Sequence, residues 1–320
     1  MILTDFNIGS PKVTDLKTFK LTRAQQVLIM PVGDVHAYSA HWPEKRFQDH
    51  IKWGIDQGAY FLGMGEYLDF TSASQRAILT GLRGSQKTMI DDMMKEKVDK
   101  FFKLIEFSKD RWLGLLEGDH YHEYQNGVTV DQHLCQLLNC PFLGTSTLLA
   151  LRLQLQSGMS EKTFSQFVDV MIFAHHGAGG GRKQGSHLHR IEDLITMVEA
   201  DIYLMGHSHS KANAPLDRLY RTSDGYLYHK TKVIARTGGF LRGYAGSAPQ
   251  DLKSAAAMSR GSYVEEAAYA PSALGGLVLS IGLKEIEYKA EQKTKISKVT
   301  GREYMAHGRR MFVPDIHYSV

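Results

Sequence analysis

Five short clusters of carboxylates and imidazoles mark the first two thirds of the chain: Asp34-Val35-His36, Glu66-Tyr67-Leu68-Asp69, Asp119-His120, His175-His176 and His207-Ser208-His209. Carboxylate oxygens and imidazole nitrogens suit Mn, Fe, Ni or Zn ions, and such ions polarise phosphoryl oxygens and acidify water. A constellation of this size could hold two of them. Along an extended chain the two-residue spacing would turn Asp34 and His36 to one side, and likewise His207 and His209. His175 and His176 are adjacent and would face opposite ways on a strand, so spacing leaves open which of them is a ligand.

Each cluster follows an apolar run that reads as a buried strand, at 27–32, 60–64, 112–116, 168–174 and 202–205. Sheet geometry can bring such strand ends together. Between them the apolar period lengthens to that of a helix. Phe47, Ile51 and Ile55 recur after Pro43-Glu44 and stop at Gly58; Ile90, Met94, Val98, Phe101, Phe102 and Ile105 line a helix predicted at 88–108. Leu188, Ile191, Leu194, Ile195 and Val198 repeat the pattern before the last cluster. Strand alternating with helix predicts an α/β fold. Beyond residue 225 strands are predicted at 226–236, 275–281 and 284–288.

The 320 residues, 43% hydrophobic and 22% charged, suit one elaborated globular domain over residues 1–290. Residues 291–320 carry Lys293, Lys295, Lys298, Arg302, Arg309 and Arg310 without an apolar period, and read as a basic, solvated C-terminal extension. A formal charge of +4 permits an anionic substrate, although nucleic-acid readers are often more basic. The N-terminus lacks a basic segment followed by an apolar core, and no run approaches the roughly 18 apolar residues of a membrane span, so neither secretion nor membrane insertion is expected. Cys135 and Cys140 are too few for a disulfide framework, which fits a cytoplasmic protein. A homo-oligomer is compatible with all of this.

Taken in order, the five clusters resemble the motif blocks of the calcineurin-like metallophosphoesterase family, D-x-H, G-D-x-x-D, G-N-H-D/E, a histidine before a glycine turn, and G-H-x-H. Asp34 and His36 match the first, residues 65–69 the second, 118–120 the third, 175–177 the fourth and 206–209 the last. The glycine-rich run 175–181 looks most like the branch often encoded by bacteriophages. The resemblance implies a four-layer αββα fold, two mixed sheets packed as a β-sandwich and flanked by helices. It also implies two divalent ions (Mn, Fe, Ni or Zn) with a bridging hydroxide that attacks phosphorus. Carried over by position, Asp34, His36 and His209 would hold one ion, and His175 and His207 the other, with His176 as the alternate to His175. Asp119 falls where the family has an asparagine ligand, Glu66 where it has a bridging aspartate, and Asp69 is an alternate to Glu66. His120 matches the catalytic histidine that protonates the leaving group.

The departures at Glu66 and Asp119 keep oxygen donors but change reach and charge. The implied activity is hydrolysis of phosphoesters, phosphodiesters or nucleotides above all. A nuclease of the same family is one alternative, with Arg190, Lys211, Arg218 and Arg221 near the motifs and Trp42, Tyr67 and Tyr121 available to stack bases. A non-catalytic scaffold with an altered metal site is another. Gly177, Gly179, Gly180 and Gly181 followed by Arg182 and Lys183 could hold a substrate phosphate or simply connect strand to helix. His122 and Glu123 are candidates to orient ligands from outside the first shell.

Overall fold

The computed structural model describes residues 13–16, 18–70, 76, 78–79, 81–155, 167–179, 181, 183–222, 225–244, 263–266, 268–287, 294–296, 303–305 and 310–319. Strands β1 (Thr14–Asp15), β2 (Phe19–Leu21) and β3 (Val27–Val32) lead into helix α1 (Glu44–Asp56) and β4 (Tyr60–Gly63). Helix α2 (Gly84–Ile105) precedes β5 (Trp112–Leu115), α3 (Val130–Leu138), β6 (Ser146–Leu155) and β7 (Phe167–His175). Helix α4 (Gln184–Ile195), β8 (Ile202–Met205), β9 (Lys211–Arg221) and β10 (Leu227–Gly239) follow. The chain continues through a one-turn helix α5 (Tyr263–Glu266), β11 (Gly275–Gly276), β12 (Val278–Glu287), β13 (Thr294–Ile296), β14 (Glu303–Met305) and β15 (Arg310–Ser319).

Two mixed sheets result. One runs β15-β12-β3-β4-β5, with β3, β4 and β5 parallel; the other runs β1-β6-β7-β8-β10-β11, with β7, β8 and β10 parallel and with β2 on β6 and β9 on β10. Both sheets are apolar on both faces because each is covered twice. Ile29 and Leu62 meet Leu149, Leu151, Ile172 and Leu204 between the sheets. On the far side of the smaller sheet, Met30, Val32 and Phe61 pack on Phe47 and Ile51 of α1, Phe101 and Ile105 of α2, and Leu134 of α3. On the far side of the larger sheet, Tyr203, Met205 and Ile234 pack on Ile191 and Leu194 of α4. The layers are therefore helix, sheet, sheet, helix, the expected αββα order. No helix among the described residues is long and apolar enough to cross a membrane.

The expected extension over 291–320 does not hold for its last part. Residues 310–319 form β15, paired antiparallel with β12 along ten residues from Val278↔Ser319 to Glu287↔Arg310. The segment belongs to the smaller sheet, which crosses the expected boundary at 290. Its Pro314 and polar residues hide the strand pattern, and an edge strand tolerates both.

Candidate metal centre

Parallel strands put the C-terminal ends of β3, β4 and β5 together, and those of β7 and β8 beside them, so the five clusters converge at one end of the sandwich. Cross-strand hydrogen bonds tie the loops into a common backbone frame. Asp34 N–H donates to the Gly65 carbonyl (3.0 Å), Val35 and His36 donate to Glu66 O (2.8 and 3.0 Å), and Phe240 donates to Asp34 O (2.8 Å). His207 N–H donates to Asp34 Oδ1 at 3.1 Å.

Two donor groups share one residue. Atoms of Asp34, His36, Glu66 and His209 lie within 4.8 Å of one another, and so do atoms of Glu66, Asp119, His176 and His207. Glu66 turns Oε2 to His36 Nε2 (2.8 Å) and Oε1 to His176 Nε2 (3.4 Å). Asp119 Oδ1 lies 3.3 Å from His176 Nε2 and 3.4 Å from His207 Nδ1. The first group is buried throughout; the second opens to solvent at Asp119, whose side chain is 51% exposed. A third group joins Asp69 and His120 to His36 within the same 4.8 Å limit, which sets His120 at the rim.

The orienting contacts choose which nitrogen faces inward. His176 Nδ1–H donates to the Met64 carbonyl at 2.7 Å, leaving Nε2 for the site, and His36 Nδ1 approaches Asp69 Oδ1 at 3.4 Å. Neighbours fixing a ring's outer nitrogen are the usual support for a ligating histidine. The frame is also strained. Asp34 (φ 49°), His36 (45°), Glu66 (55°), His207 (68°) and His209 (53°) all occupy the left-handed region, at a cost of about 1 kcal/mol or more each. Two glycines permit the close approach: a Cβ on Gly65, whose φ is +97°, would lie 2.5 Å from His176 Nδ1, and one on Gly118 would lie 2.6 Å from Glu66 Cγ.

Electrostatics couple the donors. Burial, then the Glu66 charge, raises Asp34 to about 7. Burial opposes charge on His36 and His176, yet hydrogen bonds to Asp69 and Glu66 raise His36 to about 10, and bonds to Asp119 and Glu66 raise His176 to about 11. Burial likewise works against the Glu66 carboxylate, but hydrogen bonds from His176 and His36 hold it well below the ordinary glutamate value. Burial and the neighbouring His36 lower His209 to about 3, so it stands as a neutral imidazole.

A divalent ion fits these residues on a structural ground. Asp34 Oδ2 is closed to solvent and has no hydrogen-bond partner. An orphaned carboxylate oxygen is costly unless a cation completes it. Each group offers two carboxylates and two imidazoles, a donor set for Mn, Fe, Ni or Zn.

Placement departs from sequence reasoning at several points. The second group contains His176, not His175. His175 is the last residue of β7, where its Nδ1 accepts the Gly177 N–H at 2.8 Å; His176 lies one residue past the strand, turned inward and buried. Asp34 and His36 reach the same side through left-handed backbone rather than an extended chain. Glu66 occupies the shared position, while Asp69 stays beside His36 and His120. Lys183 is exposed ahead of α4, and Arg182 lies outside the described residues. His122 does not orient a ligand; it pairs with Asp91 of α2 at 2.8 Å. Tyr67 cannot stack a base, because it is buried with its hydroxyl accepting from Gly65 N–H and donating to Leu116 O.

Two supporting residues escaped sequence reasoning. Asp131 is buried in the first turn of α3, where the nearby Gly118 N–H works against the rise that burial imposes on its carboxyl. The only sequence signal near it is the capping box that starts this helix, Thr129 with Gln132. Arg76 donates to the Asp119 and Tyr121 carbonyls, and nothing in its sequence context marks it.

No family model matches this chain, and no curated protein matches it in sequence. Among solved structures it is similar to wild-type Vps29 complexed with Zn2+ from Entamoeba histolytica, at 10% identity and a TM-score of 0.33, covering 91% of this chain and 99% of that one.

Proposed function

We propose that this protein is a metal-dependent phosphoester hydrolase acting on nucleotides or other phosphodiesters. The observation that carries the reading is Glu66, whose two oxygens serve two mixed carboxylate–imidazole groups at once. Asp34, His36, His209 and Glu66 would hold one divalent ion, and Glu66, Asp119, His176 and His207 the other. Ions so held supply Lewis acidity toward phosphoryl oxygens and make water acidic enough to act as a nucleophile near neutral pH.

The chain's own residues complete the chemistry. His209 needs no deprotonation before it binds. Three carboxylates, Asp34, Glu66 and Asp119, offset most of the charge of two dications, and the remainder favours a phosphate anion. The exposed edge at Asp119 leaves that anion a path in. His120, at the rim with its ring centroid 5.6 Å from that of His36, would donate a proton to the leaving oxygen, a task suited to an imidazole. Lys183, exposed ahead of α4, would add positive charge on that side.

The test is a panel of a phosphomonoester, a phosphodiester, cyclic nucleotides and single- and double-stranded DNA, each with Mn2+, Ni2+ or Zn2+. Hydrolysis that vanishes in Asp34→Ala is expected. Metal content below one ion per chain with no hydrolysis of any substrate would overturn the reading and leave a binding or scaffold protein.

A further inference from the structure

We infer that Arg76 is a positioning residue for His120. Its Nη1 donates to the carbonyl of Asp119 at 2.8 Å and to that of Tyr121 at 3.2 Å, the residues on either side of His120. Its guanidinium lies 4.0 Å from the centroid of the Tyr121 ring. One planar cation thus holds the carbonyls at both ends of the His120–Tyr121 pair, and the stacked ring fixes the plane of the cation. With this short span pinned at each end, the direction of the His120 Cα–Cβ bond is restricted too. Hydrogen bonds from an ionised donor are roughly twice as strong as neutral ones. Lysine could replace the charge but neither the paired N–H donors of one nitrogen nor the flat stacking face.

The inference rests on the reading of His120 as the proton donor. In that step the His120 N–H proton passes to the leaving oxygen as its bond to phosphorus breaks, and the imidazole is left neutral. The aim of the ring then sets the rate, since a misplacement of about 1 Å can cost about 100-fold. Burial raises the Glu117 carboxyl, and the nearby Arg76 charge works against that rise, so the guanidinium belongs to the same loop rather than to bulk solvent. A residue that merely held the loop in place would disturb Asp119, and hence metal binding, together with His120. A positioning residue for His120 affects only chemistry that needs the proton.

Leaving-group dependence separates the two. Hydrolysis of an alkyl ester and of a 4-nitrophenyl ester of the same nucleotide is compared in wild type, Arg76→Ala, Arg76→Lys, His120→Asn and Arg76→Ala/His120→Asn. Nitrophenolate leaves without a proton; an alkoxide does not. Arg76→Ala should lower kcat on the alkyl ester about 10- to 100-fold, with KM and bound metal unchanged and the nitrophenyl ester little affected. Arg76→Lys should fall between, and the double variant should be no slower than His120→Asn. Equal losses on both esters, a fall in bound metal, or additive losses in the double variant would overturn the inference. If His120→Asn hydrolyses the alkyl ester normally, the proton-donor reading fails and this inference falls with it. If His120→Asn is slow and Arg76→Ala is not, only the inference fails. Independently of activity, the His120 imidazole NMR signals should broaden or shift in Arg76→Ala, and an unchanged spectrum would count against the inference.

Discussion

Loading the site with metal should expel protons, and the number follows from the donors. Against the burial that disfavours charge, hydrogen bonds to Asp69 and Glu66 hold the His36 proton to about 10 and bonds to Asp119 and Glu66 hold that of His176 to about 11, so both are charged at pH 7.5 in the absence of an ion. Each must lose its Nε2 proton before that nitrogen can bind a cation. Asp34, raised to about 7, adds a fraction of a proton, while His209, lowered to about 3, adds none. Asp119 also holds His207 above its ordinary value, so the expected release at pH 7.5 is about two to three protons for two ions, and apparent affinity should rise with pH by up to about three decades per unit until these groups titrate. The sign is fixed by the direction of the shifts: raised histidines compete with metal, so acid weakens binding. Calorimetric titration of the metal-free protein with Mn2+ or Zn2+ in two buffers of different ionisation enthalpy gives the proton count directly. A count near zero, or affinity independent of pH between 6 and 8, would refute the electrostatic account of the donors.

Other outcomes follow from the supports of the site. Burial, then Glu117, raises the Asp131 carboxyl to about 8, so the folded chain holds a proton that the unfolded chain loses near 3.8, and stability falls as pH rises from about 4 to about 8. About four pKa units set a ceiling of roughly 5 to 6 kcal/mol on that loss. Asp131→Asn should therefore gain stability relative to wild type progressively over that window in urea melts; a pH-independent difference would contradict it. His176→Ala should reduce bound metal to one ion per chain, whereas His175→Ala should keep both, as read by elemental analysis; the reverse would restore His175 as the ligand. Gly118→Ala should abolish tight metal binding while leaving the helical circular dichroism intact, because its methyl would sit 2.6 Å from Glu66 Cγ, and full loading would show that the loop can yield.

Much of this organisation was legible because the core strands are covered on both faces. Runs such as Val27–Val32 and Ile202–Met205 are apolar throughout, and their observed limits match the pattern. The helix at Glu44–Asp56 shows its inward stripe plainly, Phe47 and Ile51 being buried. The strand Ser146–Leu155 was missed, although Leu149, Leu151 and Leu153 alternate into the inter-sheet core. The edge strand Arg310–Ser319 was missed too, because only Val313 among its described side chains is buried and Pro314 interrupts the pattern. At the site, residue types announced the donors but alternation misjudged their directions. Periodicity ends where the strand ends, and past that point left-handed backbone at Asp34, His36, Glu66, His207 and His209 decides where side chains go. Arg76 and Asp131 act on carbonyl and N–H groups, which every residue has, so sequence carries no mark of their roles.

The central claim is that one carboxylate, Glu66, joins two ions into a single centre. Electron paramagnetic resonance of the Mn2+-loaded protein tests it most directly. The account predicts two Mn2+ per chain with an exchange-coupled spectrum, and loss of the coupling in Glu66→Ala. Two uncoupled signals, or coupling that survives Glu66→Ala, would contradict it.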